Sequence, residues 1–335
     1  MHSLVTTVLN DKRGLEIFFE QIAVQRLLPD EIVIVDGGST DGSWEFMQER
    51  QPPEGVSLIV KQEKGCNVAQ GRNLAIAIAS GDIIVSTDIG CRWDKKWLAE
   101  LVQPMFDDPN VDVVIGSWGV RPEDLESDWA RTEYAYRGGL KLQATPESLG
   151  ISRSIAYKKT VWEKIDGYPE DLTLACDDVV YNKQLKQMKC KSAAAPKIRC
   201  YWLRHKTLKQ FCKEEWRNFF GAGEAAIWQK HFVLVTGRIL LELFSLIIGI
   251  VILLVTSDSR ISVFFVIVGM VSVMQRLLRL QNAATQLIIM NVPHPWFKLI
   301  VFEYMTKIYG MIGYAQGFRR GLSQCQQCRQ RLKSV

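Results

Sequence analysis

Residues 31–43 read Glu31-Ile32-Val33-Ile34-Val35-Asp36-Gly37-Gly38-Ser39-Thr40-Asp41-Gly42-Ser43. An apolar, β-branched run ends on a carboxylate, and a glycine-rich turn leads into the start of a helix. The glycines permit positive φ and close approach of a ligand, while Ser43 or Asp41 suits the cap of the following helix. A second run, Asp82-Ile83-Ile84-Val85-Ser86-Thr87-Asp88, also delivers an acid at its carboxyl end. In an open parallel sheet, ligands collect beyond those ends, so Asp36 and Asp88 are the first candidates for chemistry. The segment is not the G-x-G-x-x-G dinucleotide fingerprint, and no P-loop occurs in the chain. By itself the stretch is equally compatible with an ordinary acidic turn.

Working outward, short β-branched runs at 3–9, 31–36, 56–61, 82–87 and 111–116 alternate with helical spacing at 14–27, 43–50, 70–79 and 95–106. That alternation predicts an α/β fold with a parallel, Rossmann-like sheet. Asp94 is expected to cap the helix at 95–106. From 117 to 205 the order is looser, with a strand at 155–158, helices at 159–165 and 177–188 and a strand at 198–202, and it reads as the acceptor-side half of one domain over 1–205.

The chain has 335 residues and a net charge of +5, so charge balance gives a nucleic-acid partner no support. Its eight cysteines form no regular framework, and free thiols are expected throughout. Only Cys325-Gln326-Gln327-Cys328 has ligand-like spacing. A zinc site needs a second such pair, so these two are read as a reduced, exposed tail. The first residues lack the basic start and apolar core of a signal peptide, which predicts a cytoplasmic first half.

Past Lys206 the composition changes. Residues 206–232 form an aromatic amphipathic linker helix, and 233–335 a membrane region. There a transmembrane hairpin is predicted over about 236–256 and 261–280, joined by the polar loop 257–260. Glu242 is expected to pair with Arg238 four residues earlier, with an intramembrane substrate contact as the alternative. Lys230 and Arg238 precede the first span and Arg276 and Arg279 follow the second, which places both ends of the hairpin in the cytoplasm. Residues 296–318 carry Lys298, Glu303, Thr306, Lys307 and Gln316 within about half the helical circle. An interfacial helix is expected, with a third span as the alternative. Arg319, Arg320, Arg329, Arg331 and Lys333 then lie near anionic membrane lipids.

A third acidic site, Cys176-Asp177-Asp178, opens a helix, where an acid also suits the helix dipole. Together the 35–43 segment, Gly71-Arg72-Asn73, Asp88-Ile89-Gly90-Cys91 and Asp177-Asp178 closely resemble the inverting glycosyltransferases of family 2, over roughly residues 3 to 230. The resemblance implies a GT-A nucleotide-diphospho-sugar transferase domain, a UDP- or GDP-linked donor and Mg²⁺ or Mn²⁺. By position in the motifs, Asp36 resembles the residue that binds base or ribose, and Asp11 the acid that assists it. Arg72 matches a basic residue near the donor phosphates, Asp88 the metal-binding acid, and Asp178 the general base. Asp177 and Trp202 fall on the acceptor side.

The chain departs from the family twice. Asp88-Ile89-Gly90 lacks the second carboxylate of D-x-D, and Asp177-Asp178 stands where Glu-Asp is usual, which leaves the two roles open to exchange. Magnesium can be held by one or two carboxylates with phosphates and water, so the first departure leaves a metal admissible. Lys213-Glu214-Glu215-Trp216-Arg217 replaces the Q-x-x-R-W of processive synthases, which disfavours polymer extrusion. The expected protein is a multi-pass membrane glycosyltransferase of cell-envelope polysaccharide assembly, acting on a lipid-linked or membrane-proximal glycan acceptor. Its rival is a non-catalytic nucleotide-sugar-binding relative.

Overall fold

Successive side chains of the first two runs go to opposite faces of a sheet. Leu4, Ile32 and Ile34 enter one core cluster, and Val5, Val33 and Val35 the other. Burial on both faces is why these runs read as continuously apolar. The computed structural model describes residues 1–148, 152–256 and 259–333. Its strands are β1 His2–Val8, β2 Glu31–Asp36, β3 Ser57–Gln62, β4 Ile83–Ser86, β5 Cys91–Trp93, β6 Val113–Gly119, β7 Lys141–Leu142, β8 Ile155–Lys158 and β9 Ser192–Trp202. Its helices are α1 Lys12–Ile22, α2 Ser43–Glu49, α3 Val68–Ile78, α4 Trp97–Asp107, α5 Asp128–Tyr136, α6 Lys159–Ile165, α7 Asp177–Gln187, α8 Leu208–Glu224, α9 Gln229–Thr256, α10 Ser259–Ile289, α11 Pro295–Gln324 and α12 Gln326–Lys333.

The strands form one sheet in the order β3-β2-β1-β4-β8-β6-β9-β5, with β7 beside β6. The β3-β2-β1-β4 portion is parallel, whereas β8 is antiparallel to both β4 and β6. Leu15, Phe18 and Phe19 of α1, Met47 of α2 and Trp97 and Leu101 of α4 cover one face. Ala75 and Ile76 of α3, Val161 and Ile165 of α6, and Tyr181 and Leu185 of α7 cover the other.

Local details move some expected boundaries. Helix α1 starts at Lys12 because Asp11 accepts the Gly14 N–H as its cap, and it ends at Ile22 rather than 27. Asp94 accepts the Lys96 N–H at 3.1 Å one turn ahead of α4, so it organises the approach to that helix and is not its cap.

The chain divides into two compact units, and the division is not the linear one expected. One unit holds Met1–Asp124, Leu140–Arg204 and Arg319–Val335, and the other Leu125–Gly139 and His205–Phe318. Within the first, the Cys325–Cys328 segment is no exposed tail, since both cysteines are fully buried. The Cys325 thiol donates to the Asp171 carbonyl at 3.0 Å, and the Cys328 N–H to the Asp171 carboxylate at 2.8 Å. Arg331 reaches Asp166 at 2.7 Å, so α12 is fastened to the segment just ahead of α7. All eight cysteines are free thiols.

In the helical unit, α9 and α10 outrun the expected hairpin, and Ser257 and Asp258 of its loop lie outside the described residues. Windows at Gln229–Ile252 and Val263–Ile289 are long and apolar enough to cross a membrane, with only 25% and 22% of their residues buried. Core helices of that length would be mostly covered. Glu242 does pair with Arg238, whose Nε stands 3.9 Å away, but it has closer partners. It takes both Nε, at 3.2 Å, and Nη2 of Arg276, together with Ser272 Oγ at 2.8 Å and Tyr304 Oη at 3.0 Å. Arg276 also donates to Glu303 at 2.7 Å. It is therefore a buried tie between α9, α10 and α11 and not a flanking charge, which removes it from the orientation argument.

Helix α11 brings part of its polar stripe to this charge group. Glu303 and Thr306 of its polar stripe are buried, while Phe297 and Ile312 are exposed. Gln316 accepts from Trp216 Nε1 at 2.9 Å. Its glycines let α8 approach closely: a Cβ at Gly313 would lie 2.3 Å from the Trp216 carbonyl, and one at Gly317 2.0 Å from that of Phe220. Removing one member of a buried charge group leaves the others unpaired, so Arg276→Met should cost roughly 3–5 kcal/mol. Thermal unfolding in detergent, followed by circular dichroism, checks this.

Candidate active site

The parallel register puts Asp36 at the last position of β2, opposite Val8 of β1, while Asp88 follows the end of β4. Both acids thus lie at one sheet edge, two strand spacings or roughly 10 Å apart. The loops between them are knitted together. Asn10 Oδ1 accepts the Thr40 N–H at 2.8 Å, and the Asn10 N–H donates to Ser39 Oγ at 2.8 Å. Asp41 accepts the N–H of Lys12 at 3.0 Å and that of Ser43 at 3.1 Å. The Ser43 hydroxyl, with these two amides, holds the Asp41 carboxyl below its usual range.

Asp36 itself is fully buried. Its oxygens accept the N–H groups of Gly38 and Ser39, at 3.1 and 3.0 Å, the Ser39 hydroxyl, and Gln62 Nε2 at 2.8 Å. Gly38 turns at φ +100°, which a side chain would strain. In this state the carboxylate shapes the turn. Asp11 caps α1, and its neighbour Gly14 has no room for a Cβ, which would lie 2.6 Å from Ile89 Cγ2; the Asp11 corner therefore abuts the 88–90 turn.

Arg72 is buried on α3 and joins the remaining acids. Its Nη1 bonds Asp177, and its Nη2 lies 3.5 Å from Asp88 Oδ1. Burial pulls the guanidinium down, yet Asp177, with Tyr168 and Asp88, raises it above its ordinary value, so it is a fixed cation. Its guanidinium lies 4.9 Å from the centre of the Tyr168 ring, and that ring stacks on Tyr181 at 4.0 Å. Helix α3 also clasps the approach to α7. Asn73 donates to the Tyr168 carbonyl at 2.9 Å and to Glu170 at 2.8 Å, and Asn67 donates to the carbonyls of Glu170 and Leu172.

Asp178 opens α7 after Cys176, which sits at φ +71°. Burial, and then the charge of Asp177, push its carboxyl up to about 6 against the opposing pull of Arg72 and Arg153. A carboxylate poised there is basic enough to take a hydroxyl proton and is still mostly ionised at neutral pH. Asp177 is buried against Arg72 and is thereby a holder of that cation.

Sequence reasoning missed Arg153. Its Nε lies 3.8 Å from Asp88 Oδ2, and its guanidinium covers Trp202 at 3.7 Å and approaches Trp118 at 5.3 Å. Arg204 lies 3.8 Å from the same Trp202 ring centre. Two guanidiniums that close to one ring centre must take opposite faces, so Trp202 has no free face for sugar stacking. No motif flags an arginine in this loop; only the pairing of β4 with β8 brings it beside Asp88.

Among the described residues, no group of three or more His, Cys, Asp or Glu side chains is placed to hold a metal ion. Asp88 is 43% exposed and contributes one carboxylate. Gly90 is exposed, and a Cβ there would meet nothing within 4 Å, so the missing second acid is not excluded by crowding. One open carboxylate fits a cation that arrives with phosphates and water. A separate cavity of about 790 Å³ lies on the other flank of Asn73, lined by Glu63, Lys64, Trp162 and Glu170, and contains none of Asp36, Asp88 or Asp178.

Residues 3–166 match Glycosyl transferase family 2. Glycosyltransferase GlyG of Streptococcus pneumoniae is 30% identical over 119 residues, 35% of this chain and 38% of that protein. O-antigen chain rhamnosyltransferase RfbN of Salmonella typhimurium is 28% identical over 177 residues, 50% of this chain and 55% of that protein. The chain thus spans 38% and 55% of the lengths of these relatives. Mannosyltransferase PcManGT from Pyrobaculum calidifontis, solved in complex with GDP-Man and Mn²⁺, superposes with a TM-score of 0.55 at 18% identity, covering 94% of this chain and 86% of that one. The mixed sheet and the likeness to that structure fit the GT-A fold.

The raised Asp178 carboxyl gives a direct check. Asp177→Asn should lower its titration midpoint by removing a like charge, and Arg72→Met should raise it. Carbon-detected NMR titration of the carboxyl resonance reads both shifts.

Proposed function

We propose that the protein is a membrane-anchored glycosyltransferase. It moves a sugar, with inversion, from a UDP- or GDP-linked donor to a lipid-linked or membrane-proximal glycan acceptor. The observation that carries this reading is the Asp178 carboxyl, raised to about 6 at the head of α7 beside the Arg72–Asp88 pair. Asp178 takes the proton of the acceptor hydroxyl as its oxygen bonds to the anomeric carbon. The bond from that carbon to the diphosphate oxygen breaks on the opposite face, and its electron pair leaves with the nucleoside diphosphate. Arg72 stabilises the departing charge, and the 37–43 turn with Asp36 and Asp11 receives the nucleoside.

Asp88 is the residue that would hold Mg²⁺ or Mn²⁺, which when bound supplies positive charge against the diphosphate. Asp177 keeps Arg72 oriented, and Trp202 borders the acceptor side. The rhamnosyltransferase RfbN, named for O-antigen chains, supports an acceptor in cell-envelope polysaccharide assembly.

Two long helices that leave Phe244, Ile247, Phe264 and Ile267 exposed support seating in a bilayer. Replacement of Q-x-x-R-W by Lys213-Glu214-Glu215-Trp216-Arg217 supports single additions rather than extrusion.

Nucleotide release from a panel of nucleotide sugars, with lipid-linked acceptors in vesicles, tests the reading. Asp178→Asn should lower kcat at least about 100-fold while donor affinity changes less than about threefold. Asp88→Ala should weaken donor binding in the presence of Mn²⁺. Because the base must be ionised, wild-type kcat/KM should fall below about pH 6 and level off above it. Wild-type turnover by Asp178→Asn would remove the base assignment, and nucleotide binding without release under any acceptor would favour a non-catalytic binding protein.

A further inference from the structure

Asp88 is bracketed by two guanidiniums, one on each oxygen: Arg72 Nη2 at 3.5 Å from Oδ1 and Arg153 Nε at 3.8 Å from Oδ2. Both separations are long for charge-assisted hydrogen bonds, which run about 2.7–2.9 Å. The pairing is loose. Arg153 Nε is buried and has no hydrogen-bond partner, and a buried donor left in that state calls for an acceptor that the chain does not supply.

The position of Arg153 is fixed from every side. Its carbonyl accepts from Thr87 Oγ1 at 3.1 Å and from the Cys200 thiol at 3.5 Å. The next residue bonds into the core, with Ser154 Oγ accepting Trp97 Nε1 at 3.0 Å and the Ser154 carbonyl accepting the Gly116 N–H at 2.9 Å. The guanidinium lies flat enough on Trp202 to come within 3.7 Å of the ring centre, and Trp202 in turn meets Trp118 edge-on at 6.1 Å. Little entropy remains to be lost when such a cation binds an anion.

We infer that Arg153 is a phosphate-binding residue of the donor site. It grips the diphosphate of the nucleotide sugar with its Nε–H and supplies fixed positive charge where this chain, with Gly90, lacks the second acid that would help to hold a cation. The inference rests on the glycosyltransferase reading and deepens it. Two guanidiniums converging on one small site can each donate to a phosphate oxygen, and the planar fork of arginine matches that geometry as lysine does not. During transfer the electron pair of the broken sugar–oxygen bond stays on the diphosphate oxygen. Arg153 donates a hydrogen bond to it without giving up the proton.

The test is calorimetry of the full-length protein in detergent with UDP and GDP, and with uridine and guanosine, each in EDTA and in Mn²⁺. In EDTA the wild type should bind one of the diphosphates. Arg153→Ala should weaken that binding by about tenfold or more, and Arg153→Lys by less, with nucleoside affinity unchanged in both. Mn²⁺ should recover more of the loss when Gly90→Asp is added to Arg153→Ala, because that change rebuilds the second acid. Unaltered melting temperature in Arg153→Lys guards against a folding artefact. Equal diphosphate affinity in wild type and both Arg153 variants, with and without Mn²⁺, would overturn the inference while leaving the glycosyltransferase reading intact. Absence of diphosphate binding by the wild type under both conditions would overturn both.

Discussion

The buried guanidinium of Arg72 is the constraint from which the rest of the site follows. It stands on α3, yet its partners are Asp177 at the head of α7 and Asp88 after β4, so one charge joins three segments far apart in the chain. A cation withdrawn from water needs such partners, and partners so close to a cation are themselves spared the cost of burial. The same helix then fixes the approach to α7 through Asn67 and Asn73. The head of α7, where Asp178 stands, is thus tied to α3 through Asp177.

Consistent with this, each acid in the site does a different job because its surroundings differ. Asp36 is saturated with donors and holds the glycine turn; Asp177 is neutralised by Arg72; Asp88 is open to solvent; and Asp178 is half-buried beside a like charge and becomes more basic. Sequence spacing distinguishes none of these states. The two arginines around Asp88 give that corner a positive field.

What was legible in the sequence is what local chemistry determines. The period-two burial of Leu4, Val5, Ile32 and Val33, the Gly38 turn and the acids at strand ends all follow from neighbouring residues. Pairings between distant segments were not legible. Arg153 reaches Asp88 only because β8 lies beside β4, and helical spacing revealed the i,i+4 pair of Glu242 with Arg238 but not the closer Arg276 on the next helix. The polar stripe of α11 shows the same limit: periodicity reveals that one face is polar, but not that part of it meets a buried arginine. The buried Cys325 and Cys328 are a case in which composition suggested a tail and long-range packing made it part of the core.

The fastening of α12 to Asp171 also bears on biosynthesis. The two partners of the Cys325–Asp171 bond lie 154 residues apart, and the whole apolar hairpin is translated between them. Closing so long a loop is only modestly unfavourable at equilibrium, because the cost grows with the logarithm of its length, but it sets a late event. The stretch leading to Asp178 emerges from the ribosome early and gains its last clamp only after the hydrophobic helices have been made. Completion of the Asp178 end is thereby ordered in time behind synthesis of the apolar helices.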